Sequence, residues 1–308
     1  MEHPDWKDLL ANPGPDGHIV QLYQDEDFYG EAIGHFAAEG LIRGESIILV
    51  ATSPNWLNIS RRLEDKGFEI PDLFDRGQLT LLDANETLSK FMMGGMPDGK
   101  IFKPLARDTI QKARRGGKYP RVRWWGEMVN VLYVDGNGKG SNRLEEFFDE
   151  VAHEETIAIF CSFLMDKYDP LIYDEAFRNV CRTHSHVIPT EDYVGHREAV
   201  NRAIAEVIGP IEGKSLRSLS SWSGAASGMP SSQAMLLRVK ETMPRHFSQV
   251  LESAKRYEAA NLRTDIEHYR KLLLMVEDQP AIQALEHMIA EKEKRLLGIT
   301  TSVKSGAG

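Results

Sequence analysis

Apolar residues in the first two thirds of the chain follow two alternating rhythms. Short runs that are apolar almost throughout, of which Ile47-Ile48-Leu49-Val50-Ala51 is the clearest, are separated by stretches in which apolar positions recur every third or fourth residue. The continuous runs fit interior strands of a parallel sheet covered on both faces, and the three-to-four spacing lines one face of a helix. Strands are expected at 18–23, 46–51, 79–83, 122–125 and 156–164. Helices are expected between them: from an Asp25 cap to about 39 with Gly40 as the stop, 54–66 ended by Gly67, near 86–93, 103–115, 144–153 and 171–182. This alternation predicts an α/β fold with a doubly wound, mainly parallel sheet over residues 15–192, closing near 184–189.

Beyond Tyr193 the pattern turns to helix formers. A Gly-, Ser- and Pro-rich interruption at 209–232 reads as a linker or long mobile loop. After Pro244 a long stripe, including Phe247, Val250, Leu251, Leu262 and Ile266, keeps helical spacing up to Pro280, and a last helix is expected at 281–297. Antiparallel packing or a coiled-coil homodimer would bury such stripes, so 193–298 is read as a helical output or dimerisation region. The small polar tail 299–308 is expected to be disordered.

Composition narrows the classes. With 42% hydrophobic and 27% charged residues among 308, the chain is ordinary for a globular protein, and no apolar run reaches the roughly 18 residues of a membrane span. The first residues lack the basic start and apolar run of a secretory signal, so a cytoplasmic location is expected. A net charge of -9 opposes direct binding of nucleic acid. Cys161 and Cys181 are expected as buried free thiols, and with no C-x-x-C pair no metal site is expected.

The turn after the second strand, Ala51-Thr52-Ser53-Pro54-Asn55-Trp56-Leu57, bears on function. A nucleotide-hydrolysing α/β domain places a glycine- and lysine-bearing loop at such a turn, so that backbone N–H groups and an ammonium cradle the phosphates. Here there is neither glycine nor lysine, which favours sensing or binding over ATP hydrolysis, with no cofactor. Gly136-Asn137-Gly138-Lys139-Gly140-Ser141 matches no phosphate-loop spacing and reads as a flexible connection before a helix capped by Ser141 or Asn142.

His18-Ile19-Val20-Gln21-Leu22-Tyr23, Glu39-Gly40-Leu41 with Gly44-Glu45, Arg123-Trp124-Trp125-Gly126-Glu127-Met128 and Phe160-Cys161-Ser162-Phe163 together resemble the MEDS family, the methanogen/methylotroph, DcmR-type sensory domain. The resemblance covers roughly residues 15–190. It implies a RecA/KaiC-like domain without its Walker A loop, a part in signalling, and sensing of small hydrocarbon-derived compounds. It also implies a protein partner such as a histidine kinase or a transcription regulator. Val20 and Leu22 stand where other members often carry a cysteine and an aromatic, which argues against thiol chemistry in the first strand.

In an open parallel sheet ligands sit outside the carboxyl ends of the strands. That rule selects Tyr23, Ser53, Trp56, Glu127, Met128 and the neighbourhood of Cys161 as ligand-binding candidates, with Trp125 as an aromatic wall for a small organic effector. Glu127 is expected to cap the helix beginning near Met128, to pair with Arg123, itself a ligand-binding candidate, or to meet the ligand. His18 reads as a core histidine bonded to a carbonyl, raised to a candidate by the family pattern. His184 and His186 share one face of an extended segment and read as a solvent-facing pair. Two alternatives stay open: an enzyme built on Glu127, Arg123 and His18 or Tyr23, and a scaffold without a small ligand. A filled space beside Ser53, Trp56 and Glu127 favours the scaffold.

Overall fold

The computed structural model describes residues 6–170, 172–173, 175–191, 193–210 and 229–301. The chain divides into two compact units, an α/β unit up to residue 191 and a helical unit made mainly of 193–210 and 231–301. Most of the 209–232 interruption and all of the tail after Thr301 lie outside the described residues.

The α/β unit carries eight strands in chain order: β1 His18–Tyr23, β2 Ser46–Ala51, β3 Leu79–Asp83, β4 Met92–Met93, β5 Met96–Pro97, β6 Val122–Gly126, β7 Ala158–Leu164 and β8 His186–Ile188. Six of them form one sheet in the order β3-β2-β6-β7-β1-β8, parallel at every pairing, while β4 and β5 make a small antiparallel hairpin. The expected doubly wound α/β architecture is what the chain adopts. β1, β2 and β6 are buried at every position, which is why their sequences show no polar alternation.

Side chains alternate between the two faces. On one face Ile19, Tyr23, Ile47, Leu49, Trp125 and Phe160 pack under α1 Trp6–Ala11, α2 Glu26–Ile42, α3 Ser53–Asp65 and α4 Ile70–Asp75. After β3 come α5 Ala84–Ser89 and α6 Gly99–Arg114, then α7 Met128–Val134, α8 Gly138–Glu155 and α9 Glu175–Thr183. On the second face Phe102 of α6 meets Phe91 and Phe148, and Phe148 of α8 meets Trp124 of β6, with ring centroids 5.0 to 5.8 Å apart. Adjacent residues Trp124 and Trp125 therefore anchor opposite cores.

Several local expectations change. Gly40 does not stop α2, which runs on to Ile42 and turns at Gly44, where φ is +72°. Gly40 instead permits close packing, since a Cβ there would lie 2.6 Å from Ile47 Cδ1 and 2.7 Å from Arg123 Cδ. The expected helix at 86–93 ends at Ser89, and the chain turns into the β4–β5 hairpin. The glycine-rich stretch 136–141 is largely helical: α8 begins at Gly138, and Asn137 caps it by accepting from the Gly140 N–H. Ser141 is buried one turn in and donates to the Val129 carbonyl at 2.8 Å.

The helical unit contains α10 Tyr193–Val207, α11 Ser231–Thr242, α12 Pro244–Leu273 and α13 Gln279–Thr301. Pro244 and Pro280 stand in the first turns of α12 and α13, where a missing N–H costs nothing. Lys292 reaches Asp265 at 2.7 Å and Arg270 reaches Glu293 at 2.5 Å, ion pairs that tie α12 to α13. His196 of α10 lies 3.2 Å from Glu258 of α12, and Tyr168 also donates to that carboxylate.

Candidate functional site

At the carboxyl ends of β2 and β6 the expected crevice is occupied by a protein carboxylate. Glu127, 2% exposed, receives the Thr52 backbone N–H on Oε1 and the Asn55 side-chain amide on Oε2, and the Tyr29 hydroxyl lies 3.5 Å from Oε2. Thr52 is the N-cap of α3, so Glu127 sits where unpaired N–H groups would draw an external anion. Helix α2, after β1, is closed in the same manner: Asp25 accepts from the N–H groups of Asp27 at 2.7 Å and Phe28 at 3.2 Å.

The other candidates divide. Tyr23 stacks on Tyr29 at 4.3 Å and receives the Asn130 amide at 3.4 Å. Burial pushes the pKa of both tyrosines up, and the nearby Glu127 charge adds to it, so both remain neutral phenols. Trp125 lies edge-on to Tyr29 at 6.0 Å and donates its indole N–H to Ser162 Oγ at 3.2 Å. These groups form one filled polar and aromatic cluster around Glu127. Met128 is buried at the start of α7, Ser53 is exposed, and Trp56 is half-buried against Phe74.

Glu127 makes no capping bond to α7, and it does not pair with Arg123. Arg123 points to the amino end of the sheet, where it meets Glu45 and donates to the carbonyls of Leu10 at 2.8 Å and of Phe36 and Ala11 at 3.0 Å. Burial pulls its affinity for the proton down, and Glu45 works against that. Arg123 and Glu127 thus serve opposite ends of β6, and His18 faces the other side of the sheet, so no acid–base constellation unites them.

The second face holds two features of a different kind. Thr80, Leu82, Phe102, Leu105, Ala106 and Trp124 contribute to the wall of a cavity of about 220 Å³ between the sheet and α6. Trp124 is 2% exposed, and its indole N–H finds no acceptor among the described residues. Farther along this face His18 of β1, Cys161 of β7, Glu145 of α8 and His184, just after α9, converge with all four side chains buried. His18 Nδ1 lies 3.0 Å from the Thr183 carbonyl, as expected of a core histidine. His184 is not solvent-facing: its Nδ1 lies 2.6 Å from the Val180 carbonyl and its ring 3.9 Å from that of His18, while His186 alone is exposed.

Burial disfavours charge on every member of this cluster. For His18 the carboxylates of Asp149 and Glu145 outweigh it and hold the imidazolium up to about 9. Burial and the facing His18 charge keep His184 neutral, and burial with the nearby Glu145 charge pushes the Cys161 thiol well up. Burial also opposes the Glu145 charge, but the facing imidazoles overcome it and draw that carboxyl down to about 2. Glu145 carried no signal in the sequence, since it is one acid among several on an amphipathic helix.

With this geometry in view, the comparison with known families is decisive at one level. The family model of MEDS, the MEthanogen/methylotroph, DcmR Sensory domain, matches residues 17–185. The chain belongs to the MEDS family. The match runs from just before β1 to just after α9, so both faces of the sheet are MEDS structure, and MEDS being a sensory domain family gives the protein a sensory, signalling role. No curated protein matches the chain. Among solved structures it is similar to the Hef helicase domain of Pyrococcus furiosus at 10% identity and a TM-score of 0.33, over 97% of this chain and 68% of that one. No helix among the described residues is long and apolar enough to cross a membrane.

Proposed function

We propose that this MEDS protein is a non-hydrolysing sensor whose α/β unit binds a small, mainly apolar effector in the cavity beside Trp124. The observation that carries the reading is a cavity walled by Leu82, Phe102, Leu105, Ala106 and Trp124, with Lys90, Asp108 and Lys112 also lining it, beside a buried Trp124 indole N–H that has no acceptor among the described residues. A buried donor without an acceptor costs about 1–3 kcal/mol, so a ligand carrying one hydrogen-bond acceptor would regain that energy together with its own apolar burial. A volume of about 220 Å³ is below the roughly 300 Å³ at which drug-sized sites begin, which restricts the effector to a small molecule. Such a molecule agrees with the hydrocarbon-derived compounds that the family resemblance implies.

Kinship to RecA/KaiC-type domains without nucleotide hydrolysis is part of the proposal. Its support is the α3 terminus, whose first N–H group is already committed to Glu127. Output passes to a protein partner, such as a histidine kinase or transcription regulator, through the helical unit, which acts as a homodimer. Leu274 and Met275, 87% and 78% exposed between α12 and α13, are apolar groups suited to such contact.

The test is thermal melting of the full chain with cyclohexanone and with cyclohexane at equal concentration. The ketone should raise the melting temperature more than the hydrocarbon, and Leu105→Phe, which intrudes on the cavity, should abolish the shift. No shift with either probe, or an equal shift in the variant, overturns the cavity assignment. The filled crevice around Glu127 favours a second reading, a scaffold without a small ligand, and that outcome would support it.

A further inference from the structure

We infer that His18, Glu145, Cys161 and His184 form a binding site for one tetrahedral divalent transition ion, with zinc the best fit. The inference is independent of the effector cavity. It rests on three observations.

The first is distance. Zinc bonds of about 2.0–2.3 Å place tetrahedral ligand atoms about 3.3–3.8 Å apart. Glu145 Oε2 lies 3.2 Å from His18 Nε2, 3.3 Å from His184 Nε2 and 3.5 Å from Cys161 Sγ, and Cys161 Sγ lies 3.6 Å from His18 Nε2. The second is tautomer. A carbonyl only accepts, so the contacts to Thr183 and Val180 place a proton on Nδ1 of each histidine and aim Nε2 at the centre. Asp149, 3.5 Å from His18 Nδ1, adds the carboxylate that commonly orients a ligating imidazole.

The third is what the cluster lacks. His184 Nε2, bare of a proton, faces the Glu145 carboxylate without a hydrogen bond, and Glu145 Oε1 has no partner among the described residues. The His18 imidazolium, 3.2 Å from Glu145 Oε2, offsets this contact in part, but two acceptors pressed together in a buried space repel unless a cation bonds both. A divalent ion supplies one, and with a thiolate and a carboxylate among its ligands the site is neutral overall. Zinc entry displaces the Cys161 thiol proton and the His18 Nε2 proton to solvent while the Zn–S and Zn–N bonds form, with no change of oxidation state. The four ligands come from separate elements and enclose the ion without an open position, the arrangement of a structural site that ties α8 and the α9–β8 turn to the sheet. The missing C-x-x-C motif therefore does not exclude a metal.

The full chain, purified from cells grown in minimal medium with zinc or with cobalt, provides the test. Elemental analysis should find about one metal per chain, and the cobalt form should show intense visible bands of a tetrahedral ion with a thiolate charge-transfer band in the near ultraviolet. Cys161→Ser should remove the charge-transfer band and Cys181→Ser should keep it. The second variant assigns the band by elimination if the first fails to fold, because the chain has only these two cysteines. His184→Gln should reduce metal content severalfold. A wild-type chain free of metal after both growths, or a cobalt spectrum without a thiolate band, overturns the assignment.

Discussion

The two faces of the sheet differ in how their buried polar groups are satisfied. Trp125 and Trp124 are neighbours on β6, yet the Trp125 indole N–H is bonded to Ser162 while that of Trp124 has no acceptor among the described residues. The same contrast holds for two buried glutamates. Glu127 faces donors on both carboxylate oxygens, whereas Glu145 on the other face has one oxygen that meets the bare His184 Nε2 beside the His18 imidazolium and the Cys161 thiol, and one without a partner among the described residues. A buried polar group left unpaired in a native fold calls for an explanation, and a ligand is one. The crevice that serves enzymes of this architecture is sealed from within here, and the unsatisfied atoms are on the face covered by α6 and α8.

The largest expected effect tests the sealed side. Glu127→Ala removes the acceptor for the Thr52 N–H, the Asn55 amide and the Tyr29 hydroxyl, and should cost about 3 kcal/mol in urea unfolding, measured with and without metal. A loss below about 1 kcal/mol would mean the Glu127 cluster is no better satisfied than its counterpart. Gly40→Ala sharpens the packing side of the contrast. Its new methyl group would press on Ile47 and Arg123, and a loss of about 2 kcal/mol is expected by the same measurement.

Asp25→Ala removes the α2 cap and should cost about 1 kcal/mol, read from the same unfolding curves. The smallest effect belongs to His186, whose exposed side chain should tolerate alanine within about 0.5 kcal/mol. His184, two positions earlier and buried in the cluster, should not.

The strands were legible because burial on both faces leaves continuous apolar runs, and Asp25 was legible as a cap because its acceptor acts on N–H groups two and three residues away. Gly40 was misread because a glycine that lets a helix approach a strand looks, in one dimension, like a glycine that ends a helix. The stretch 136–141 was misread because Asn137 caps a helix that starts on glycines. His184 and Glu145 escaped as partners because α8 and the turn after α9 meet only in three dimensions. Spacing along the chain reports neighbours on one element, and the buried cluster draws one ligand from each of four.

Nuclear magnetic resonance of the two indole N–H groups tests the central claim most directly. On titration of the full chain with cyclohexanone, the Trp124 signal should move downfield in a saturable manner as it gains an acceptor, while the Trp125 signal, already bonded to Ser162, stays in place. Movement of Trp125 with Trp124 unchanged would put the ligand in the crevice at the Glu127 end and contradict the account.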